Sequence, residues 1–164
     1  MTEDAVLDVR FDPICAADGT VLLEMARAFH AEDGHPLEAS SEAAVLQVAA
    51  GETLTRAWIV RRATEAVGYL ILTLGYSVEY GGRDGFIDDL YLKPELRGHG
   101  IGKRLLDFAL EQAAVLGINT LHLEVESGNA RAERLYREAG FEETGRRLMR
   151  RRIRSSEPRA AATA

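Results

Sequence analysis

"LYLKPELRGHGIGKRLL", Leu90 to Leu106, is the stretch on which the reading of this chain turns. It carries a β-rich run into an amphipathic helix, with Gly98, Gly100 and Gly102 between them and Arg97 and Lys103 alongside. Glycines pack nothing, so three of them in alternation imply that something comes close to the backbone. A strand, a glycine-rich turn and a helix N-terminus make an anion site: backbone N–H groups converge and the helix dipole adds partial positive charge. The plainer alternative is a flexible connection. Two familiar phosphate loops do not fit. A P-loop would need glycine where Arg97 stands and Ser or Thr where Arg104 stands. The dinucleotide fingerprint would need glycine at Lys103 and a strand ending directly at the loop, where "KPEL" intervenes.

Working outward, the period is that of a helix from Ile101, with Leu105, Phe108, Ala109 and Gln112 on or near one stripe and Gly117 as its stop. "TLHLEVE" after it alternates Leu121, Leu123 and Val125 as a strand does. "NARAERLYREAG" reads as a shorter helix ending at Gly140, and "FEETGRRLMRRRI" as a closing hairpin whose Arg146–Arg154 run forms an edge strand. Upstream, "DGTVLLEMARAFHA" (18–31) is a helix opened by Asp18, and a second helix follows Ser40 or Ser41 up to Gly51. "RAWIVRR" and "AVGYLILTLGY" read as consecutive strands. Gly81 to Gly85 is a turn, and "FIDDLYL" is the next strand. The sum is an α/β (α+β) chain with one mixed sheet.

The whole composition agrees. With 164 residues, 46% hydrophobic and 28% charged, the chain is a globular domain, expected over 1–154 with 155–164 as a flexible tail. No apolar run reaches the roughly 20 residues of a membrane span, and "MTEDAVLDVRFD" is not a secretory signal. Cys15 is the only cysteine, which fits a reducing, cytoplasmic setting and offers no local cation to activate a thiol. The net charge of −6 hides an acidic portion up to position 95 and a basic one after it. That asymmetry fits one cationic and one anionic ligand, or simply unevenly decorated solvent faces. Nucleic acid is a poor partner for such a chain. His30, His35, His99 and His122 lack metal-ligand spacing, so no metal is expected.

"RGHGIG" is R-x-x-G-x-G, and about 30 residues later comes "EVESGNARAERLYREAGF". Together they resemble the GNAT superfamily of acetyl-CoA-dependent N-acetyltransferases over roughly residues 20–153. "GYSVEYGGRDGFIDDLYL" is similar to the β4 region of a bacterial branch related to polyamine acetyltransferases. The resemblance implies a mostly antiparallel sheet splayed at a cofactor site and flanked by helices, with acetyl-CoA as co-substrate. In it the loop Arg97, Gly98, His99, Gly100, Ile101, Gly102 and Lys103 holds the pyrophosphate. Main-chain groups around Leu90, Tyr91 and Leu92 bond the pantetheine arm, which slots between the 86–92 and 120–125 strands. Asn129 and Tyr136 face the thioester, and Ala132 joins the cofactor set. His99 is either a phosphate neighbour or a solvated loop residue. Dimerisation, common in that fold, stays open.

Acyl transfer to an amine needs a neutral nucleophile, a polarised carbonyl and a proton for the departing thiolate. The resemblance gives Asp88 the position of the base, acting through water, while a strand bulge would hand the role to Asp89. Glu79 is a lesser candidate. Tyr136 is the candidate acid, and a backbone N–H of 90–92 the polarising donor. Phe29, Glu32, Asp33 and Glu79 are expected at the acceptor, which favours a small cationic amine over a protein lysine or N-terminus. The competing expectation is a catalytically silent acyl-CoA-binding regulatory module.

Overall fold

The computed structural model describes residues 8–153; the tail expected over 155–164 lies outside them. Five strands lie side by side in chain order: β1 (Arg10–Pro13), β2 (Thr55–Arg62), β3 (Glu65–Ser77), β4 (Gly82–Leu92) and β5 (Thr120–Leu123). β1 to β4 pair antiparallel, and β5 runs parallel to β4. The helices are α1 (Gly19–Glu32), α2 (Ala39–Ala49), α3 (Ile101–Val115) and α4 (Ala130–Glu138). A parallel neighbour requires a crossover, and α3 is that crossover.

Period-two alternation divides the core into two layers. Trp58, Val60, Leu70 and Leu72 face α3, where Ile101, Leu105, Leu106 and Ala109 meet them. Ile59, Tyr69 and Ile71 face the other way, onto Leu22, Met25 and Ala26 of α1 and Val45 of α2. The stripe read from the sequence is therefore the buried face of α3. β4 starts at Gly82, so the expected Gly81–Gly85 turn is partly strand. Gly85 makes that possible, because a Cβ there would lie 2.7 Å from the Thr73 carbonyl oxygen.

β4 changes character at Asp88. Ile71 pairs with Asp89 while Leu72 pairs with Ile87, so Asp88 is an extra residue bulged out of the ladder. Ile87 faces the α3 layer, and plain alternation would send Asp89 and Tyr91 there too. The bulge turns them onto the α1 layer, where Tyr91 joins Tyr69 and Ile71. At the same place the other edge opens. β4 and β5 pair only from Asp84↔Thr120 to Ile87↔Leu123, whereas β4 continues to Leu92. The sheet is splayed from Asp88 onward.

The closing hairpin expected after Gly140 is not formed: among the described residues, 141–153 carry no regular secondary structure. The arginines of that segment reach outward instead. Arg146 grips Glu79 through two bonds of 2.6 and 2.8 Å, and Arg152 bonds Glu38 at 3.0 Å. The start of the segment stays beside β5, where residues 141–146 line a small cavity with Leu123.

Candidate active site

Between the splayed strands lies a cleft of about 1610 Å³. One wall is β4 from Ile87 to Leu92, the other is the chain from Glu124 to Tyr136, and α1's end and the segment after it form the rim. The anion loop closes one end. Gly98 and Gly100 sit at φ +90° and +79°, a left-handed conformation that strains other residues. Gly100 is the residue before α3, and no side chain caps that helix. The first helical bond runs from the Arg104 N–H to the Gly100 carbonyl, which leaves the earlier N–H groups without helical acceptors. Arg131 lies across from this turn, its guanidinium 3.6 Å from where a Cβ on Gly98 would be.

Several residues of the expected cofactor set are placed here, with differing freedom. Leu90, Tyr91, Leu92, Arg97, Gly98, Gly100, Gly102, Lys103, Asn129, Ala132 and Tyr136 all line the cleft. His99 is exposed outside the lining, and Ile101, the first residue of α3, is fully buried in the core. Arg97 is fixed from three sides: its Nε donates to the Leu92 carbonyl at 2.8 Å, its Nη2 to Glu32 at 2.8 Å, and its guanidinium lies 5.5 Å from the Tyr91 ring centroid. It braces the loop and competes with any ligand for the Leu92 carbonyl. Lys103 pairs with Asp107 one turn on. The Asn129 carboxamide oxygen accepts the Ala132 N–H at 3.1 Å, so this pair starts α4.

Carboxylates gather at the other end, where Asp33, Asp88, Glu124 and Glu126 line the cleft; Arg150 and Arg152 are also in the lining, Arg152 held on Glu38. Burial, then the neighbouring charges of Asp89 and Glu124, hold the Asp88 carboxyl above its ordinary range, with His30 opposing. Asp89 is buried (7% exposed) and accepts the Tyr69 hydroxyl at 2.9 Å. His30 of α1 places its Nε2 3.6 Å from the same Asp89 oxygen. A buried carboxylate needs such partners, because an uncompensated one would cost several kcal/mol, on the order of 3–5. Phe29 packs on the Tyr91 ring at 5.7 Å, and Asp33 ends α1 with its N–H on the Phe29 carbonyl. Tyr136 sits with its ring 6.0 Å from that of Phe141, and burial, then Asp33, push its phenol upward. Glu79 is outside the lining, its carboxylate occupied by Arg146.

A glycine turn at an uncapped helix, beside an open strand edge, fits the pattern that the sequence resembled. The model of the Acetyltransferase (GNAT) family matches residues 21–141. The chain belongs to this family. Among curated relatives of this GNAT chain, bovine thialysine N-epsilon-acetyltransferase is 38% identical over 77 residues, 47% of this chain and 45% of that protein. The L-methionine sulfoximine/L-methionine sulfone acetyltransferase of Pseudomonas aeruginosa is 32% identical over 103 residues, 55% and 59% of the two chains. The chain thus spans about half the length of the curated relatives it matches. An integron cassette protein from the mobile metagenome of Cole Harbour Salt Marsh shares the fold at a TM-score of 0.75. It is 32% identical, with 94% of each chain covered.

Two residues that meet Asp89 are not set apart by the sequence: His30 lacks metal-ligand spacing, and Tyr69 reads as part of a strand. No local pattern joins positions 30, 69 and 89; the bulge at Asp88 does.

Proposed function

We propose that this chain transfers an acetyl group from acetyl-CoA to a small, cationic primary amine by direct attack in a ternary complex. The observation that carries the reading is the two-ended cleft, with amide donors and Arg131 at one end and clustered carboxylates at the other. The uncapped N–H groups at the start of α3 suit a pyrophosphate, and the unpaired 88–92 edge of β4 suits the amides of a pantetheine arm. A thioester so held would lie between β4 and Tyr136. A main-chain N–H of 90–92 polarises its carbonyl, and the amine attacks the carbonyl carbon. As the carbon–sulfur bond breaks, the Tyr136 hydroxyl gives its proton to the thiolate. Burial keeps that proton on the phenol until the thiolate forms.

The acceptor's charge is read from the acidic end. Asp88, Asp33, Glu124 and Glu126 favour an ammonium over a neutral or anionic group. The bovine relative's name, which specifies the ε-nitrogen of thialysine, supports a small amine. Assaying thiol release from acetyl-CoA over a panel of amines, with mass detection of products, tests this. Acetylated small diamines are expected, and Asp88→Asn should raise the amine KM about tenfold with acetyl-CoA affinity unchanged. Tight acetyl-CoA binding with no turnover on any amine would make the chain an acyl-CoA-binding module instead.

A further inference from the structure

The acetyl-transfer reading leaves one proton without a destination. An alkylammonium must lose a proton before its nitrogen can attack, and the acidic end of the cleft offers Asp88 first. A carboxylate is a poor choice on elementary grounds, since an ordinary imidazole is about 400-fold more basic than an ordinary aspartate. Burial and neighbouring charge raise Asp88, but the same charges also make it the group that holds the ammonium. An imidazole stands in the same cleft.

We propose that His30 is the proton acceptor for the attacking amine, with Asp89 and Tyr69 as the positioning residues that hold its ring. This inference rests on the acetyl-transfer reading and deepens it. Three observations carry it. His30 projects from α1 into the cleft and keeps 30% of its side chain exposed, so a ligand can reach it. Its Nε2 lies 3.6 Å from Oδ2 of Asp89, a carboxylate with no comparable access to a ligand. That same oxygen is fixed from the far side by the Tyr69 hydroxyl at 2.9 Å. The Asp89 charge lies on the Nε2 side of the ring, which favours the proton on that nitrogen and leaves the Nδ1 lone pair to act as the base. Tyr69 stays a donor, because burial and then the Asp89 charge push its phenol far up.

The protons balance. Nδ1 of neutral His30 takes one proton from the ammonium, giving an imidazolium beside Asp89 and a free amine lone pair. That lone pair forms the carbon–nitrogen bond, the carbon–sulfur bond breaks, and the sulfur takes the Tyr136 proton. The new amide nitrogen sheds its excess proton, which restores Tyr136 through solvent, and the imidazolium releases its proton to the bulk. The sum is amide, thiol and one proton.

The environment of His30 sets the pH at which this works. Asp89 foremost, and then Asp33 at the end of its own helix and Asp88 on β4, hold its imidazole above the ordinary range against the effect of burial. Tyr69 of β3 acts through Asp89. Of the other charged groups around the cleft, Glu32 pairs with Arg97, His35 lies 3.7 Å from Glu126, Arg152 pairs with Glu38, and Glu124, Arg131 and Arg150 also line it. A base works deprotonated, so activity should rise with pH through a value above 6.5.

The test uses the full chain. In wild type, the kcat/KM profile for an accepted diamine should show an acidic limb above 6.5. His30→Gln should abolish that limb and lower kcat by about 10²-fold or more, while Asp89→Asn should move it to lower pH. NMR titration of the His30 ring gives a second readout that needs no variant to fold; it should follow the kinetic limb in wild type. An unchanged limb in His30→Gln would overturn the proposal, as would a His30 ring titrating at or below its ordinary value. Absence of transfer to every amine would sink the acceptor reading instead, and the ring titration would still decide whether the Asp89–His30 pair exists.

Discussion

The two halves of β4 are one strand with two different fates. From Gly82 to Ile87 it is paired on both edges, to β3 throughout and to β5 from Asp84, and Ile87 is buried beneath α3. From Asp88 to Leu92 it keeps β3 but loses β5, and its side chains change layer because Asp88 is bulged. The first half satisfies its backbone groups within the sheet and contributes to stability. The second presents an open edge, and in a folded protein such an edge is a template for another chain or for a ligand with amides of its own. One inserted residue both turns Asp89 toward His30 and coincides with the opening of the cleft. The site is thus built where the sheet fails to continue.

Deleting Asp88 would break this contrast outright. Without the bulge, Asp89 through Leu92 must exchange faces or slip register, putting Asp89 into the α3 core. A loss of about 3–5 kcal/mol in urea unfolding is expected, together with loss of acetyl-CoA binding by calorimetry. A deletion that left stability unchanged would show that the bulge is not what assigns the faces.

Milder changes separate the halves. Tyr136→Phe, across the cleft from the open half, should lower kcat about 10²-fold with acetyl-CoA affinity preserved; an unaffected rate would reject the phenol as proton donor. Gly100→Val tests the loop. A β-branched residue at a φ of +79° carries about 1–3 kcal/mol of strain, so the acetyl-CoA dissociation constant should rise tenfold or more. Unchanged binding would remove the loop from the site.

The smallest effect belongs to the region remote from the cleft. Asp18 is a buried carboxylate bonded by the Cys15 N–H at 3.0 Å and paired with Arg61 of β2. Burial opposes its charge, but the Cys15 and Arg61 contacts outweigh it and hold the carboxyl below its ordinary 3.8. Its folded value is the lower one, so its contribution to stability is complete above 3.8 and fades as pH falls through the folded value. Asp18→Asn should therefore cost about 1–3 kcal/mol at neutral pH. The gap to wild type should narrow in acid, and the pH profile of turnover should stay as it was. A changed profile would mean that the two regions are coupled.

The sequence by itself determined the elements whose signals are local. The spacing of Ile101, Leu105 and Ala109 marks the buried face of α3, the apolar runs "RAWIVRR" and "AVGYLILTLGY" mark β2 and β3, and R-x-x-G-x-G marks the turn before a helix. Contacts within one turn or one strand are written in neighbouring letters. Only the tertiary structure decided the rest. The expected edge strand at Arg146–Arg154 is not formed over its described part, and Arg146 and Arg152 pair instead with Glu79 and Glu38 across the molecule. Glu79 is thereby drawn away from the acceptor role it was assigned. Asp88 and Asp89 are alike as letters. A pairing register with Ile71 and Leu72 bulges the first into the cleft and turns the second beneath His30, which is 59 positions away. A bulge is a relation between two strands, and for that reason neither strand's sequence contains it.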